Sequence, residues 1–167
     1  MYMPPAALNG TKSWRYDTSK VFKAQLRALI CALWLGALLA LAAAVMPSAF
    51  AVLEKPQAGL LAQRLFAIDA YVSLVLAAFV MQLERKLAGP GQSPKGPKFW
   101  LAALALACTV LGYFGLQDAM QAARVGHGYW SFGALHAASS TMFGVKLLAV
   151  AGLAWLSVRE LQPSHLN

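Results

Sequence analysis

Apolar residues in this chain do not alternate with polar ones. They run on in four blocks, at about residues 28–52, 60–83, 99–116 and 132–158. Each block is near or above the roughly 20 residues that a helix needs to cross bilayer hydrocarbon. Between the blocks lie "LEKPQAG", "ERKLAGPGQSPKGPK" and "QDAMQAARVGHGYW". All three are short and carry charges, prolines or glycines, as connections do. Short connections make antiparallel neighbours, so the pattern predicts an all-α fold: an integral membrane four-helix up-down bundle. Spans two and four then run parallel, on a diagonal across the core. The bundle occupies residues 28–158, with a basic tail over 1–27 and a short tail over 159–167. No repeat or second domain is visible.

Composition sharpens this reading. Only 12% of the residues are charged and mean hydropathy is +0.57. Globular domains carry about 25% charged residues, so this chain has too few to cover a surface in water. The net charge of +8 would suggest nucleic acid in a soluble protein. Here the basic residues flank the apolar blocks, which assigns them to membrane topology and excludes a nucleic-acid partner. The two cysteines, Cys31 and Cys108, sit inside apolar runs without ligand spacing, and read as small buried hydrophobes.

The first block has one rival reading. Basic residues, an apolar run and then Ala49-Phe50-Ala51 resemble a secretion signal with its cleavage site. The apolar run is about 24 residues long, whereas signal sequences use about 7–15, so a retained first span is expected.

Lysine and arginine placement predicts direction. Lys12, Arg15, Lys20, Lys23, Arg27, Arg85, Lys86, Lys95, Lys98 and Arg159 fall on one side, and Lys55, Arg64 and Arg124 on the other. The richer side faces the cytoplasm, so both termini are expected there. Phe99, Trp100, Tyr129 and Trp130 stand near boundaries as interface anchors. The segment "KVFKAQLRAL" is expected to rest on anionic headgroups. Small residues let membrane helices approach each other. Gly36, Ala40 and Ala44 in span one, and Gly133, Ala137, Thr141 and Gly144 in span four, have suitable spacing.

Charge inside the spans is where chemistry would concentrate. Asp69 lies about ten residues into span two, roughly 13 Å from its outer end. His136 lies roughly 5 Å and Lys146 roughly 20 Å into span four, counted from the same side. Helical side chains lean toward the helix N-terminus, which brings Lys146 up toward Asp69. His136, Ser139, Ser140, Phe143 and Lys146 share one arc of roughly 100°. The expected intramembrane polar cluster is therefore Asp69, Lys146, Ser139 and Ser140, with His136 above and Tyr113 and Gln117 at the vestibule. Such a pair serves either a polar pathway or helix register. Glu54 and Asp118 read as solvated loop charges, although Asp118 with His127 offers weak ligands for a cation. There is no G-x-S-x-G, no H-E-x-x-H and no phosphate loop, so no catalytic residue is assigned.

Three stretches resemble a known family when taken together: "WLGALLALAAAVMPSAFAVL", "QAGLLAQRLFAIDAY" and "FGALHAASSTMFGVKLLAVAGLAW". Over roughly residues 25–155 the chain is similar to a bacterial family of four-helix inner-membrane proteins. That family is named for a domain of unknown function (number 4149) and is similar to the eukaryotic transmembrane protein 205 group. The resemblance implies a four-span bundle in the bacterial cytoplasmic membrane, with no established activity. A more distant similarity, to small four-span proteins of copper transfer and haem-linked protoporphyrinogen oxidation, implies that His136 is the candidate haem or copper ligand. The chain departs from those proteins in lacking a histidine in span one. Lys146 also stands where an apolar or amide residue is expected.

Three functions follow as expectations. The first is a non-enzymatic accessory or scaffold subunit of a larger membrane complex. The others are a haem- or copper-binding protein using His136, and a small transporter with an Asp69/Lys146 polar pathway.

Overall fold

The computed structural model describes residues 18–89 and 91–162. Lys12 and Arg15 of the expected basic tail, and residues 163–167 of the other tail, lie outside them. Four long helices account for most of the described chain: α1 (Thr18–Val52), α2 (Lys55–Leu87), α3 (Pro97–Arg124) and α4 (Phe132–Arg159). Each is long and apolar enough to cross a membrane, so this is a four-span membrane protein. The helices run past the apolar blocks, and residues 18–27 continue α1 without a break.

The helix boundaries follow local chemistry. Pro56 and Pro97 stand in the first turns of α2 and α3, where a missing N–H costs nothing. Ser131 caps α4, its hydroxyl accepting from the Ala134 N–H at 3.2 Å. Arg85 and Lys86 occupy the last turn of α2, complementing the negative end of its dipole.

The helices form a ring in chain order. α1 packs on α2 and α4, and α3 packs on α2 and α4. Neither diagonal pair has Cα atoms within 8 Å among the described residues. Arg27 bonds both Glu84 and Glu160, so the start of α1 and the end of α4 share one end of the bundle, here the terminal end. The 53–54 and 125–131 connections mark the distal end.

Between the two ends the packing changes. In the terminal half Cys31, Trp34, Leu38, Ala77, Val80, Ala102, Ala105, Ala149, Val150 and Leu153 form one closed core. Outward from it Leu33, Val75, Leu148 and Trp155 are exposed, as lipid-facing residues should be. In the distal half the ring opens into two hairpins. Residues 46–52 of α1 stay with α2 but have no Cα within 8 Å of α4, and residues 115–124 of α3 stay with α4 but have no Cα within 8 Å of α2.

The divergence coincides with a π-helical turn in each of α1 and α3. At Leu41–Val45 the Met46 N–H bonds the Leu41 carbonyl, five residues back. Pro47 follows at once; it has no N–H, and its ring would clash with the carbonyl four residues earlier. At Val110–Phe114 the Gly115 N–H bonds the Val110 carbonyl. Ser139 of α4 donates to the Gly112 carbonyl inside that turn at 2.8 Å, satisfying an acceptor in a low-dielectric setting.

The small-residue stripes are corrected by this packing. Gly36, Ala40, Ala44, Gly133, Ala137 and Thr141 are exposed, and a Cβ added at Gly36, Gly133 or Gly144 would meet nothing within 4 Å. Alanine is so frequent that four-residue spacing recurs by chance on lipid faces. The close approach is at Gly112, where an added Cβ would lie 2.6 Å from Met142 Cβ.

Arg27 is corrected too. It does not rest on headgroups but is 1% exposed, bonded to Glu84 at 2.6 Å and to Glu160. Lys98 also bonds Glu160 and stands 4.0 Å from Glu84, so α1, α2, α3 and the residue that ends α4 each contribute one charge to a clamp at the terminal end. Burial would raise the Glu160 carboxyl, yet the Lys98 and Arg27 hydrogen bonds outweigh it and hold the group below its ordinary range. Phe99, expected at the interface, is buried, and its neighbour Trp100 is exposed.

The two glycine classes should separate cleanly in thermal unfolding in detergent. Gly112→Ala is expected to destabilise by about 1–3 kcal/mol through overpacking against Met142. Gly36→Ala is expected to be neutral or stabilising by up to about 1 kcal/mol, because it adds helix propensity in open space. Equal effects at the two positions would contradict the packing described.

Candidate functional site

Where the two hairpins part, four polar side chains meet. Lys146 Nζ of α4 donates to Asp69 Oδ2 of α2 at 2.5 Å. It also lies 3.4 Å from Ser73 Oγ, one turn along α2. Ser73 in turn donates to Asp69 Oδ1 at 3.3 Å and accepts from the Trp34 indole N–H of α1 at 3.2 Å. The Ser73 hydroxyl thus donates once and accepts twice, which is its full capacity. Lys146 is 3% exposed, and its ammonium stands 4.9 Å from the centre of the Phe143 ring. The carboxylate and the hydrogen bonds offset the cost of burying a lysine this deep in a bundle.

Above the pair, toward the distal end, lies a cavity of about 960 Å³. Its floor is Asp69 and Lys146, and its walls are largely apolar, including Met46, Phe50, Phe66, Met120 and Phe143. Lys55 and Arg124 stand at its rim, the first residue of α2 and the last of α3. Counting 1.5 Å per residue, rim and floor are about 21 Å apart along α2, from Lys55 to Asp69, and along α4, from Phe132 to Lys146. The volume lies at the upper end of the usual range for ligand cavities.

The remaining expected residues line this cavity without joining the charged network. Ser139 bonds the Gly112 carbonyl, and Ser140 faces the space directly. Tyr113 packs edge-on against Phe114, with ring centres 5.0 Å apart. His136 is exposed on the wall and stacks on Phe132 at 5.8 Å, nearly parallel. Gln117 lines the cavity as well. His127 lies apart from it; its Nδ1 is 3.3 Å from the Val125 carbonyl.

The chain matches the family described as "Domain of unknown function (DUF4149)" over residues 29–128, more than half its length. It belongs to that family. The match to DUF4149 takes in α1 from residue 29 and all of α2 and α3, with Asp69 and Tyr113, and ends before α4, so Lys146, His136 and Ser139 fall outside it. No curated protein and no solved structure matches the chain.

Sequence reasoning missed Ser73 and Trp34. Ser73 had a usable signal, standing four residues after Asp69 on the same helical face. Trp34 had none, because its role depends on how α1 is rotated. The Arg27–Glu84–Lys98–Glu160 clamp was also missed, because flanking charges were counted toward topology alone.

The pair yields a double-variant test. Lys146→Met leaves Asp69 without its cation and is expected to destabilise by on the order of 3 kcal/mol. Asp69→Leu combined with Lys146→Met removes both charges and is expected to recover most of that loss. Denaturation in mixed micelles measures both, and a double variant no better than Lys146→Met would contradict the pairing.

Proposed function

We propose that this protein is a non-enzymatic binding protein of the bacterial cytoplasmic membrane. Both termini lie in the cytoplasm, and the distal cavity, facing outward, receives a guest molecule. The observation that carries this reading is the cavity itself: about 960 Å³, apolar-walled and floored by an ion pair. The lysine and carboxylate at the floor are engaged with each other, which suits shaping and sealing a site better than proton transfer. Orientation rests on the excess of lysine and arginine at the terminal end.

Binding is favoured over the other expectations for specific reasons. A scaffold or accessory subunit needs no internal cavity, and its contacts with a larger complex would lie on the lipid-facing surface. A transport pathway would have to open the closed core beneath the pair, where Leu38, Val80, Val150 and Leu153 are fully buried. A second reading uses the same space: haem, which His136 would hold through its imidazole. Of the cavity's other soft donors, Met46, Met120 and Cys108 stand on other helices, and among the described residues no three His, Cys, Asp or Glu groups come together. His136 is therefore the residue that would hold haem. A Soret band that appears after haem-replete expression and is lost in His136→Ala supports haem, and no band overturns it.

The binding reading is tested by native mass spectrometry after mild-detergent purification. The wild type is expected to retain a small-molecule adduct that is lost in Ala62→Phe combined with Ser140→Phe, both facing the cavity. The variant should unfold at a similar temperature. No adduct, or the same adduct in both proteins, overturns the reading.

A further inference from the structure

We infer that the guest is an anionic amphiphile, an alkyl tail with a negatively charged head, taken sideways from the outer leaflet between α1 and α4. The inference rests on the binding reading above and adds the ligand class and the route.

Charge sets the head. The cavity lining holds three basic side chains, Lys55, Arg124 and Lys146, against one carboxylate, Asp69. Lys146 and Asp69 cancel at the floor, so the excess positive charge sits at the rim. Lys55 and Arg124 are in no ion pair among the described residues; Arg124 stands 5.0 Å over the Phe132 ring and 3.5 Å from Gln63 Oε1. Glu54, adjoining Lys55, does not line the cavity. The N-terminal ends of α2 and α4 at this rim are offset by the C-terminal ends of α1 and α3, so the basic side chains set its charge.

The walls set the tail. Below the rim the space is lined largely by apolar and aromatic side chains. Phe66 and Phe143 meet edge to face at 5.4 Å just above the floor, and Phe143 covers the Lys146 ammonium. A tail reaching the bottom therefore meets aromatic carbon before it meets charge.

The route follows from how the hairpins part. On the α2/α3 side the Arg124–Gln63 contact bridges the gap. On the α1/α4 side no hydrogen bond or ion pair crosses it among the described residues, and beyond the π-helical turn α1 has no Cα within 8 Å of α4. Met46 and Phe50 of α1 and His136 and Ser140 of α4 all line the cavity. A molecule already oriented as a lipid, with its head at the surface and its tail toward the midplane, enters there without turning over.

Two sources share this chemistry, a free fatty acid and an anionic phospholipid of the leaflet. The full chain, purified in mild detergent and delipidated, is offered oleate, oleyl alcohol, phosphatidylglycerol or phosphatidylcholine, and native mass spectrometry reads retention. Oleate above oleyl alcohol identifies a free acid, and phosphatidylglycerol above phosphatidylcholine identifies a leaflet lipid. Either preference supports the proposal and should be on the order of tenfold. Lys55→Gln with Arg124→Gln should abolish the preference while leaving oleyl alcohol retention unchanged, and Lys55→Arg with Arg124→Lys should keep it. Equal retention of charged and neutral probes overturns the ligand class and leaves the cavity as a binding site. Retention of none of the four overturns both.

Discussion

The structure turns on one ion pair across a diagonal. α2 and α4 do not touch through their backbones, yet Lys146 reaches from one to the other and bonds Asp69. In hydrocarbon neither charge is tolerable alone, and Ser73, Trp34 and the Phe143 ring supply the remaining neighbours. The bond fixes where the helices must stay together. Below it they close into a core of small and branched side chains, and above it they are free to diverge.

That division is reinforced from both directions. At the terminal end the Arg27–Glu84–Lys98–Glu160 clamp joins α1, α2 and α3 to the end of α4, so the closed half is held by ion pairs at its edge and at its boundary with the cavity. In the distal half, π-helical turns in α1 and α3 redirect the chain, one beside Pro47 and one beside the close contact of Gly112 with Met142. π-turns inside helices often accompany functional sites, and here both border the cavity.

Much of this was legible in the sequence, for identifiable reasons. Four apolar blocks of bilayer length admit few arrangements, and short connections leave the up-down ring as the simplest. Asp69 and Lys146 could be brought to one level because helix rise and side-chain lean are constant properties of an α-helix. The cavity was not legible. It depends on two π-turns, which carry no hydropathy signal, and on the rotation of α1, which decided that Gly36 faces lipid and Trp34 faces Ser73. The clamp was hidden because a positive charge beside an apolar block serves topology equally well whether it is solvated or paired.

The central claim is that a space reached from the distal side ends at the Lys146–Asp69 pair. It is tested most directly by labelling single cysteines, in a Cys31→Ser, Cys108→Ser background, with a membrane-impermeant maleimide added outside intact cells. Cysteines at Gln63 and Ser140 are predicted to be labelled, and those at Val150 and Leu153 to stay unlabelled until the protein is denatured. Labelling at Val150 or Leu153 in the folded protein, or none at Gln63 and Ser140, would contradict the account.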